Sequence, residues 1–180
     1  MLYTSKEAEQ AAILAVAQEM CAAIRTAPKT QGKDYLDCCI VTGGELAELA
    51  RKMEELGRDF EQAFLIRDAG NLRSSTAAVL IGVKNVYHGL NQLCRYCGFE
   101  SCSACSAAAG ECVYGPIDLG IAVGSAVALA ADHRIDNRVM FSVGRAAKDL
   151  GYLAPEYGCV LGIPLCAAGK SPYFDRKKST

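Results

Sequence analysis

The 180-residue chain carries 19 basic and 20 acidic residues, which gives a net charge of −1, and 51% of its residues are hydrophobic. This length suffices for one well-packed domain and is too short for two. The balanced charge excludes a global electrostatic attraction to nucleic acid or anionic membranes, and the composition excludes a disordered chain. We therefore expect one globular domain over residues 1–180, without nucleic-acid or membrane binding.

Apolar spacing and turn residues predict alternating helices and strands along the chain. The predicted order is a helix at 5–26, a strand within 34–43, an amphipathic helix at 44–60, a helix or loop before a buried strand at 77–83, a cysteine-rich loop at 93–116, a small-residue helix within 116–135, a short strand and a helix within 137–153, and a last strand ending at Pro164. Strands separated by helices predict an α+β fold, a three-layer α/β/α sandwich around one sheet.

The ends and apolar runs of the chain indicate a cytoplasmic location. The N-terminal residues have no basic segment followed by an apolar core, as a secretory signal would have. The most apolar run, from Ile117 to Ala131, is interrupted by Asp118 and small residues, so we expect it to be too short and too polar to span a bilayer. Because cytosolic reductants keep thiols reduced, the ten cysteines are not expected to form structural disulfides.

Five of those cysteines lie within residues 94–112, with the spacing Cys94-x2-Cys97-x4-Cys102 followed by Cys105 and Cys112. Structural zinc sites usually pair two CxxC turns about 12 to 20 residues apart, whereas four residues separate Cys97 from Cys102 here. A compact loop with a more distant fourth thiolate suits an iron–sulfur cluster. Spacing alone leaves zinc and unmetallated thiols as alternatives, and the fourth ligand is Cys105 or Cys112.

The segment "CRYCGFESC" resembles the CxxCG[FY]xxC signature of small four-iron, four-sulfur domains. From about residue 10 to residue 177 the chain resembles prokaryotic ferredoxin-domain-containing proteins of unknown function, notably in "DLGIAVGSA" and "GIPLCAAGKSPYFDRK". The fourth cysteine of that family stands just before the "DLGIAVGSA" helix. The resemblance therefore implies four cluster ligands, Cys94, Cys97, Cys102 and Cys112, and leaves Cys105 as a spare thiol.

A second resemblance is to the flavin-dependent nitroreductase fold, through "APKTQGKDY", the small-residue helix and a late strand ending in "GIP". It implies FMN binding, with Lys29, Thr30 and Gln31 facing the flavin ring and Lys170 and Arg176 near its phosphate. The chain departs from that pattern because it lacks an arginine-rich first segment, and because Gly-Lys follows Gln31 instead of Pro-Trp. Without a flavin, the segment "TAPKTQGKD" would be a polar loop that caps a helix.

These features lead to two functional hypotheses. The first is a cytoplasmic four-iron, four-sulfur redox protein, a flavin-assisted oxidoreductase that passes electrons from a ferredoxin-like donor to a small substrate. The alternative is a non-catalytic sensor or interaction module that binds an iron–sulfur cluster or zinc. The small-residue helix favours a homodimer. The two histidines, His88 and His133, form no hydrolytic triad; His88, six residues before Cys94, is either a donor to the cluster or an ordinary core or surface histidine.

Overall fold

The computed structural model describes residues 1–174, and two layers of helices cover the two faces of one antiparallel sheet. Within this part of the chain the helices are α1 (Ser5–Thr26), α2 (Gly43–Asp59), α3 (Ala63–Arg73), α4 (Cys102–Ala107), α5 (Tyr114–Asp132) and α6 (Phe141–Leu150). The strands are β1 (Leu36–Thr42), β2 (Ala77–Lys84), β3 (Asp136–Asn137) and β4 (Tyr157–Cys166). The α+β class and the three-layer sandwich are confirmed.

The sequence explains where the long helices begin and which side they bury. Thr4 caps α1 by accepting from the Glu7 N–H at 3.3 Å, while the Glu7 carboxylate accepts from the Thr4 N–H at 2.8 Å. The helix ends at Thr26, shortly before Pro28, which cannot continue it. In α2 the apolar residues recur at helical spacing and are buried. They are Leu46, Leu49, Met53 and Leu56.

The strands lie in the order β1-β2-β4-β3, and every neighbouring pair is antiparallel. Helices α1 and α5 cover one face of the sheet, and α2, α3 and α6 cover the other. Leu36 pairs with Val83, so β1 begins where β2 ends. We call the end of the sheet at which Leu36 and Val83 lie the site end, because the cysteine-rich connection leaves β2 there.

Strand β4 continues to Cys166, beyond the predicted end at Pro164. The expectation was wrong because it treated proline as a stop. In the register of β3 and β4, Pro164 stands opposite Arg138, between the end of β3 and the isolated bridge from Met140 to Gly162. The ladder is interrupted at that point, so the missing N–H of proline leaves no strand partner unpaired.

Helix α5 is the one helix within residues 1–174 that is long and apolar enough, by length and composition, to cross a membrane. The expectation that this run is too short was therefore wrong, because the helix begins at Tyr114 and has 19 residues. Core helices pass the same test, and α5 packs against α1 and β2 through buried residues that include Leu119, Ala122 and Ala126.

Candidate metal centre

The cysteine-rich connection runs from the end of β2 to the beginning of α5 and turns sharply around its first two cysteines. Arg95 and Gly98 both have positive φ angles, 53° and 82°, and the Gly98 N–H donates to the Arg95 carbonyl at 3.0 Å. Glycine adopts the left-handed conformation at position 98 without the strain that a side chain would add. The turn brings Cys94 and Cys97 to the same side of the connection.

Four of the five clustered thiols line one cavity, together with the His88 imidazole and the Tyr114 ring. The four are those implied by the family resemblance, Cys94, Cys97, Cys102 and Cys112. Cys112 is 8% exposed, and the other three are partly exposed. Desolvation, followed by the neighbouring Cys94 thiol, raises the pKa of Tyr114. The connection thus collects four sulfur donors around one space.

Cys105 does not line that cavity. It is fully buried, and a methyl group added at Gly110 would lie 3.0 Å from its sulfur and 2.7 Å from the Phe99 ring, so the side chain is closely packed. Burial, followed by the contact with Cys97, raises the pKa of Cys105 to about 11. The packing therefore distinguishes Cys105 from the four cavity-lining thiols.

Two residues just after β2 hold Cys112 in place. The Asn85 amide donates to the Gly110 carbonyl at 3.1 Å and accepts from the Cys112 N–H at 3.1 Å. The Tyr87 hydroxyl donates to the same Gly110 carbonyl at 2.7 Å. These bonds fix the last cysteine, which is ten residues from Cys102 in sequence, against the end of the sheet.

His88 is buried beside the four thiols without a hydrogen-bond partner. Its side chain is 7% exposed, and neither ring nitrogen has a partner within the described residues. The ring lies edge-on to Tyr35 and Tyr114, with centroid distances of 6.0 and 5.8 Å. Because buried polar atoms are almost always hydrogen-bonded, an unpartnered imidazole in this cavity indicates that a further polar group belongs there.

The donor set fits an iron–sulfur cluster. It consists of four thiols, a backbone N–H of Asn91 that donates to the Cys102 sulfur at 3.3 Å, and the unpartnered His88 ring. Within residues 1–174, no three His, Cys, Asp or Glu side chains converge closely enough to hold a metal ion. A single zinc ion needs sulfurs about 3.8 Å apart, from Zn–S bonds of about 2.3 Å. A four-iron cluster holds its cysteine sulfurs further apart.

Lys29, which the nitroreductase resemblance places at the flavin ring, is bound to the end of α1. Its ammonium donates to the carbonyls of Ile24, Arg25 and Ala27 at 3.0, 2.7 and 2.8 Å, and its side chain is only 6% exposed. The lysine thus caps the last turn of the helix, where cations are favoured. Its three N–H donors are all used by backbone carbonyls.

Thr30 and Gln31 lie at the site end of the sheet and contact the surroundings of the cavity. The Thr30 N–H donates to both oxygens of the buried Asp118 carboxylate at 3.1 Å, and the Thr30 hydroxyl donates to one of them at 2.8 Å. The Gln31 amide donates to the His88 carbonyl at 3.0 Å. The loop implied for flavin and the candidate metal centre therefore share His88.

Lys170 lies at the opposite end of the sheet. It follows β4, whose last residues pair with the beginning of β2, and the nearby Tyr173 hydroxyl is 2.9 Å from that of Ser75. One chain therefore does not bring Lys170 to the loop that contains Thr30 and Gln31. Arg176 is outside the described residues.

Sequence reasoning missed Asn85, Tyr87 and Asp118. Nothing in the sequence around Asn85 and Tyr87 distinguishes them from ordinary loop residues, because their role depends on the distant Gly110 carbonyl. Asp118 carried a signal, since it is a carboxylate in the otherwise apolar run of α5. A buried charge needs hydrogen-bond donors, and that requirement could have identified it as an anchor.

The fold is that of the nitroreductases. The chain is similar to a nitroreductase family protein from Clostridium novyi NT, with a TM-score of 0.57 and 13% identity over 84% of this chain and 72% of that one. An FMN-dependent nitroreductase from Clostridium difficile R20291 gives 0.56 and 11% over 87% and 76%. Nitroreductase CinD from Lactococcus lactis, in complex with chloramphenicol, gives 0.58 and 15% over 93% and 85%.

The sequence comparisons add a family to this fold. Residues 108–176 match a family described as "Uncharacterized protein containing a ferredoxin domain (DUF2148)". This range includes Cys112 but not Cys94, Cys97 or Cys102. An uncharacterized protein from Archaeoglobus fulgidus is 44% identical over 185 residues, covering 98% of each chain. Fold and family description together indicate a redox protein. The chain belongs to this family of ferredoxin-domain proteins.

Proposed function

We propose that the protein binds a four-iron, four-sulfur cluster and acts in electron transfer. The observation that carries this proposal is the shared cavity of Cys94, Cys97, Cys102 and Cys112, from which the fifth clustered thiol is excluded. These four thiols would hold the cluster as thiolates, and the bound cluster would supply one-electron chemistry. The ferredoxin-domain family supports the same assignment.

The chain's own donors would adjust the site. The Asn91 N–H already donates to the Cys102 sulfur, and the Tyr114 hydroxyl lies in the same cavity as Cys94. The His88 ring has an N–H available in the same cavity. Hydrogen bonds to cluster or cysteine sulfurs stabilise the more negative, reduced state and so raise the reduction potential. The alternative is a non-catalytic sensor or interaction module that binds a cluster or zinc.

We propose FMN as a second cofactor, which would make the protein a flavin-assisted oxidoreductase acting on a small substrate. A fold neighbour is named as FMN-dependent, and the Thr30–Gln31 loop contacts His88 beside the cluster cavity. Thr30 and Gln31 would hold the flavin beside that cavity, and the flavin would supply two-electron chemistry there. Lys170 lies at the other end of the sheet from Thr30 and Gln31. A flavin site that uses both Lys170 and this loop would therefore take Lys170 from one protomer of a homodimer and the loop from its partner.

The homodimer proposal rests on an exposed stripe along α5. Ile117 and Ile121 are each 42% exposed, and Gly120 and Gly124 have open space where a side chain would extend. Residues at this spacing share one helix face, and small residues at every fourth position let two helices approach closely. A second copy of the same helix is the partner that such a self-complementary stripe fits.

A ferredoxin-like donor is the proposed electron source, and the cytoplasm is the proposed location. Leu93 and Tyr96 are 85% and 72% exposed within the cysteine-rich connection, next to Cys94 and Cys97. Exposed apolar residues around a redox centre suit the small, transient interfaces of electron-transfer complexes. A reducing compartment would keep free the thiols that the proposed cluster needs.

The test is the cofactor content of protein purified without oxygen. We expect four iron and four acid-labile sulfide per chain and broad visible absorption that bleaches on reduction. Cys112→Ser should lose this cluster, whereas the matched variant Cys105→Ser should retain it. Loss of iron only in Cys105→Ser would show that the ligand assignment is wrong. Colourless protein with stoichiometric zinc would refute electron transfer and support the sensor or interaction module. Released flavin, identified by chromatography, tests the second cofactor separately.

A further inference from the structure

Three exposed phenylalanines surround a hollow where α2, α3 and α6 meet. Phe60, Phe64 and Phe141 are 62%, 37% and 59% exposed, and all three line one depression of about 360 Å³. The buried Leu56 and Leu65 line it as well. A single exposed apolar residue is ordinary on a protein surface, whereas three aromatic rings around one concavity indicate a binding site. The volume of the hollow lies within the range of small-molecule pockets.

The turn between α2 and α3 fixes the backbone that carries Phe60. The Phe60 N–H donates to the Leu56 carbonyl at 3.0 Å, and the Gln62 N–H donates to the Gly57 carbonyl at 2.8 Å. Between them, Glu61 has a φ angle of 53°, in the left-handed conformation that glycine usually adopts at the end of a helix. The two backbone bonds hold this turn in one shape. A ligand therefore meets a formed wall and does not have to order it.

Arg145 is the charged group of the hollow. Among residues 1–174, every other side chain that lines it is uncharged. Arg145 lies in α6, one turn after Phe141, and its Nη1 donates to the Asp149 carboxylate. No hydrogen bond joins its Nε or Nη2 to another residue in the described part of the chain. The guanidinium edge with Nε and Nη2 matches the two oxygens of a carboxylate, so charge complementarity selects an anion.

We propose that this hollow binds small aromatic carboxylates. The ring of the ligand packs among Phe60, Phe64 and Phe141, because aromatic rings favour offset and edge-to-face contacts with one another. Its carboxylate accepts from Nε and Nη2 of Arg145, which pairs the two charges at the rim of an apolar surface. A cationic ligand of the same shape is excluded, because it would bring a second positive charge beside the guanidinium without a partner.

The site is separate from the other proposals. No residue that lines the hollow also lines the cluster cavity. Helices α2, α3 and α6 cover the face of the sheet opposite α5, which carries the exposed stripe of the proposed dimer. Binding of a carboxylate in the hollow therefore requires neither a bound cluster nor a second protomer.

The chain offers a matched control for each interaction. Arg51 in α2 donates to Glu55 four residues later, just as Arg145 donates to Asp149 in α6. Phe174 is 64% exposed, and neither Phe174 nor Arg51 lines the hollow. Substituting these two residues removes the same charge and the same kind of exposed ring elsewhere on the surface. A general effect of surface charge or hydrophobicity would appear in these variants too.

The experiment titrates the full chain, purified without oxygen with its cofactors, with phenylpropionate in a calorimeter. We expect saturable binding at one site per chain and no binding of phenylpropylamine. Arg145→Gln and Phe141→Ala should each weaken the affinity about fivefold, through loss of a charge-assisted pair or of an aromatic contact. Arg51→Gln and Phe174→Ala should bind as the wild type does.

Several outcomes would overturn the proposal. They are the absence of saturable binding, an unchanged affinity in Arg145→Gln, and an equal affinity for phenylpropylamine. Self-association that Phe141→Ala abolishes in sedimentation measurements would assign the hollow to a second copy of the chain instead. Because Phe141 is exposed, Phe141→Ala should keep the unfolding midpoint of the wild type. Iron content is measured on the same samples, so a failure of the cluster proposal is seen separately.

Discussion

Replacing Asp118 by asparagine tests whether α5 anchors the Thr30 loop beside the metal centre. Asp118 is 5% exposed and sits in the first turns of α5, next to the segment that follows Cys112. Its carboxylate accepts hydrogen bonds from the backbone N–H and the hydroxyl of Thr30. The substitution keeps the size of the side chain but removes the charge, and it turns an acceptor oxygen into an NH2 group that faces a donor.

The size of the effect follows from these bonds. Each hydrogen bond to a charged group contributes about 1.5–3 kcal/mol, and Asp118 accepts from two donor groups. Since asparagine can still accept one of them, we expect the free energy of unfolding to fall by about 2–4 kcal/mol. For a chain of this size that corresponds to a fall in Tm of about 5–15 °C. Thr30→Val removes only the hydroxyl bond and should lose about half as much.

Urea unfolding and amide hydrogen exchange provide the measurements. Exchange should rise at residues 29–34 in Asp118→Asn, because the loop loses its anchor. The control is Asp68→Asn: Asp68 is equally buried on the other face of the sheet, where it accepts from the Ser142 hydroxyl at 2.8 Å. That variant should also lose stability but leave exchange at residues 29–34 unchanged. A loss below about 0.5 kcal/mol in Asp118→Asn, or equal exchange in both variants, would refute the anchoring role.

Three further predictions concern the metal centre and the dimer. Asn85→Ala removes two hydrogen bonds that position Cys112 and should speed iron release to a chelator by about thirtyfold, since such bonds contribute about 1 kcal/mol each. His88→Phe removes a donor from the cavity and should lower the reduction potential by about 20–60 mV in an anaerobic titration, equivalent to one hydrogen bond of about 0.5–1.5 kcal/mol. Gly124→Glu places a charge on the exposed stripe of α5 and should convert a dimer to a monomer in sedimentation measurements.

Each of these predictions has a control and an opposing result. Tyr87→Phe removes one bond to the same Gly110 carbonyl and should affect iron release less than Asn85→Ala. An unchanged potential in His88→Phe would show that the ring does not donate to the cluster. A monomeric wild type would contradict the proposed dimer. Gly124 has open space around it, so the Gly124→Glu variant should still fold.

The sequence predicted the layered fold because its long elements are strongly periodic. The buried residues of α2 recur at helical spacing, and β2 is a short apolar run that is buried along most of its length. The expected end of β4 at Pro164 was wrong for a tertiary reason. Whether proline interrupts a strand depends on what lies opposite its nitrogen, here Arg138 at a break in the ladder, and local sequence does not contain that information.

At the candidate site, spacing and family resemblance selected the four cysteines, but the packing around them depends on distant residues. Local sequence does not show that Asn85 holds Cys112 or that Cys105 is enclosed by Phe99 and Gly110. The same limit applies to Cys21 and Cys38. They lie on different elements, and only the packing of α1 on β1 brings both side chains against the same apolar cluster.

His88 contacts both proposed cofactor sites, one through its backbone and the other through its side chain. Its backbone carbonyl accepts from Gln31 in the loop implied for flavin, and its ring lies in the cavity of the four cysteines. A shift of the loop that contains Gln31 would therefore move the His88 ring within the cavity of the four cysteines. If FMN binds beside Gln31, occupancy of that site should alter the environment of the His88 ring and hence the reduction potential of the cluster. A cluster potential that is the same with and without bound FMN would show that the two sites are independent.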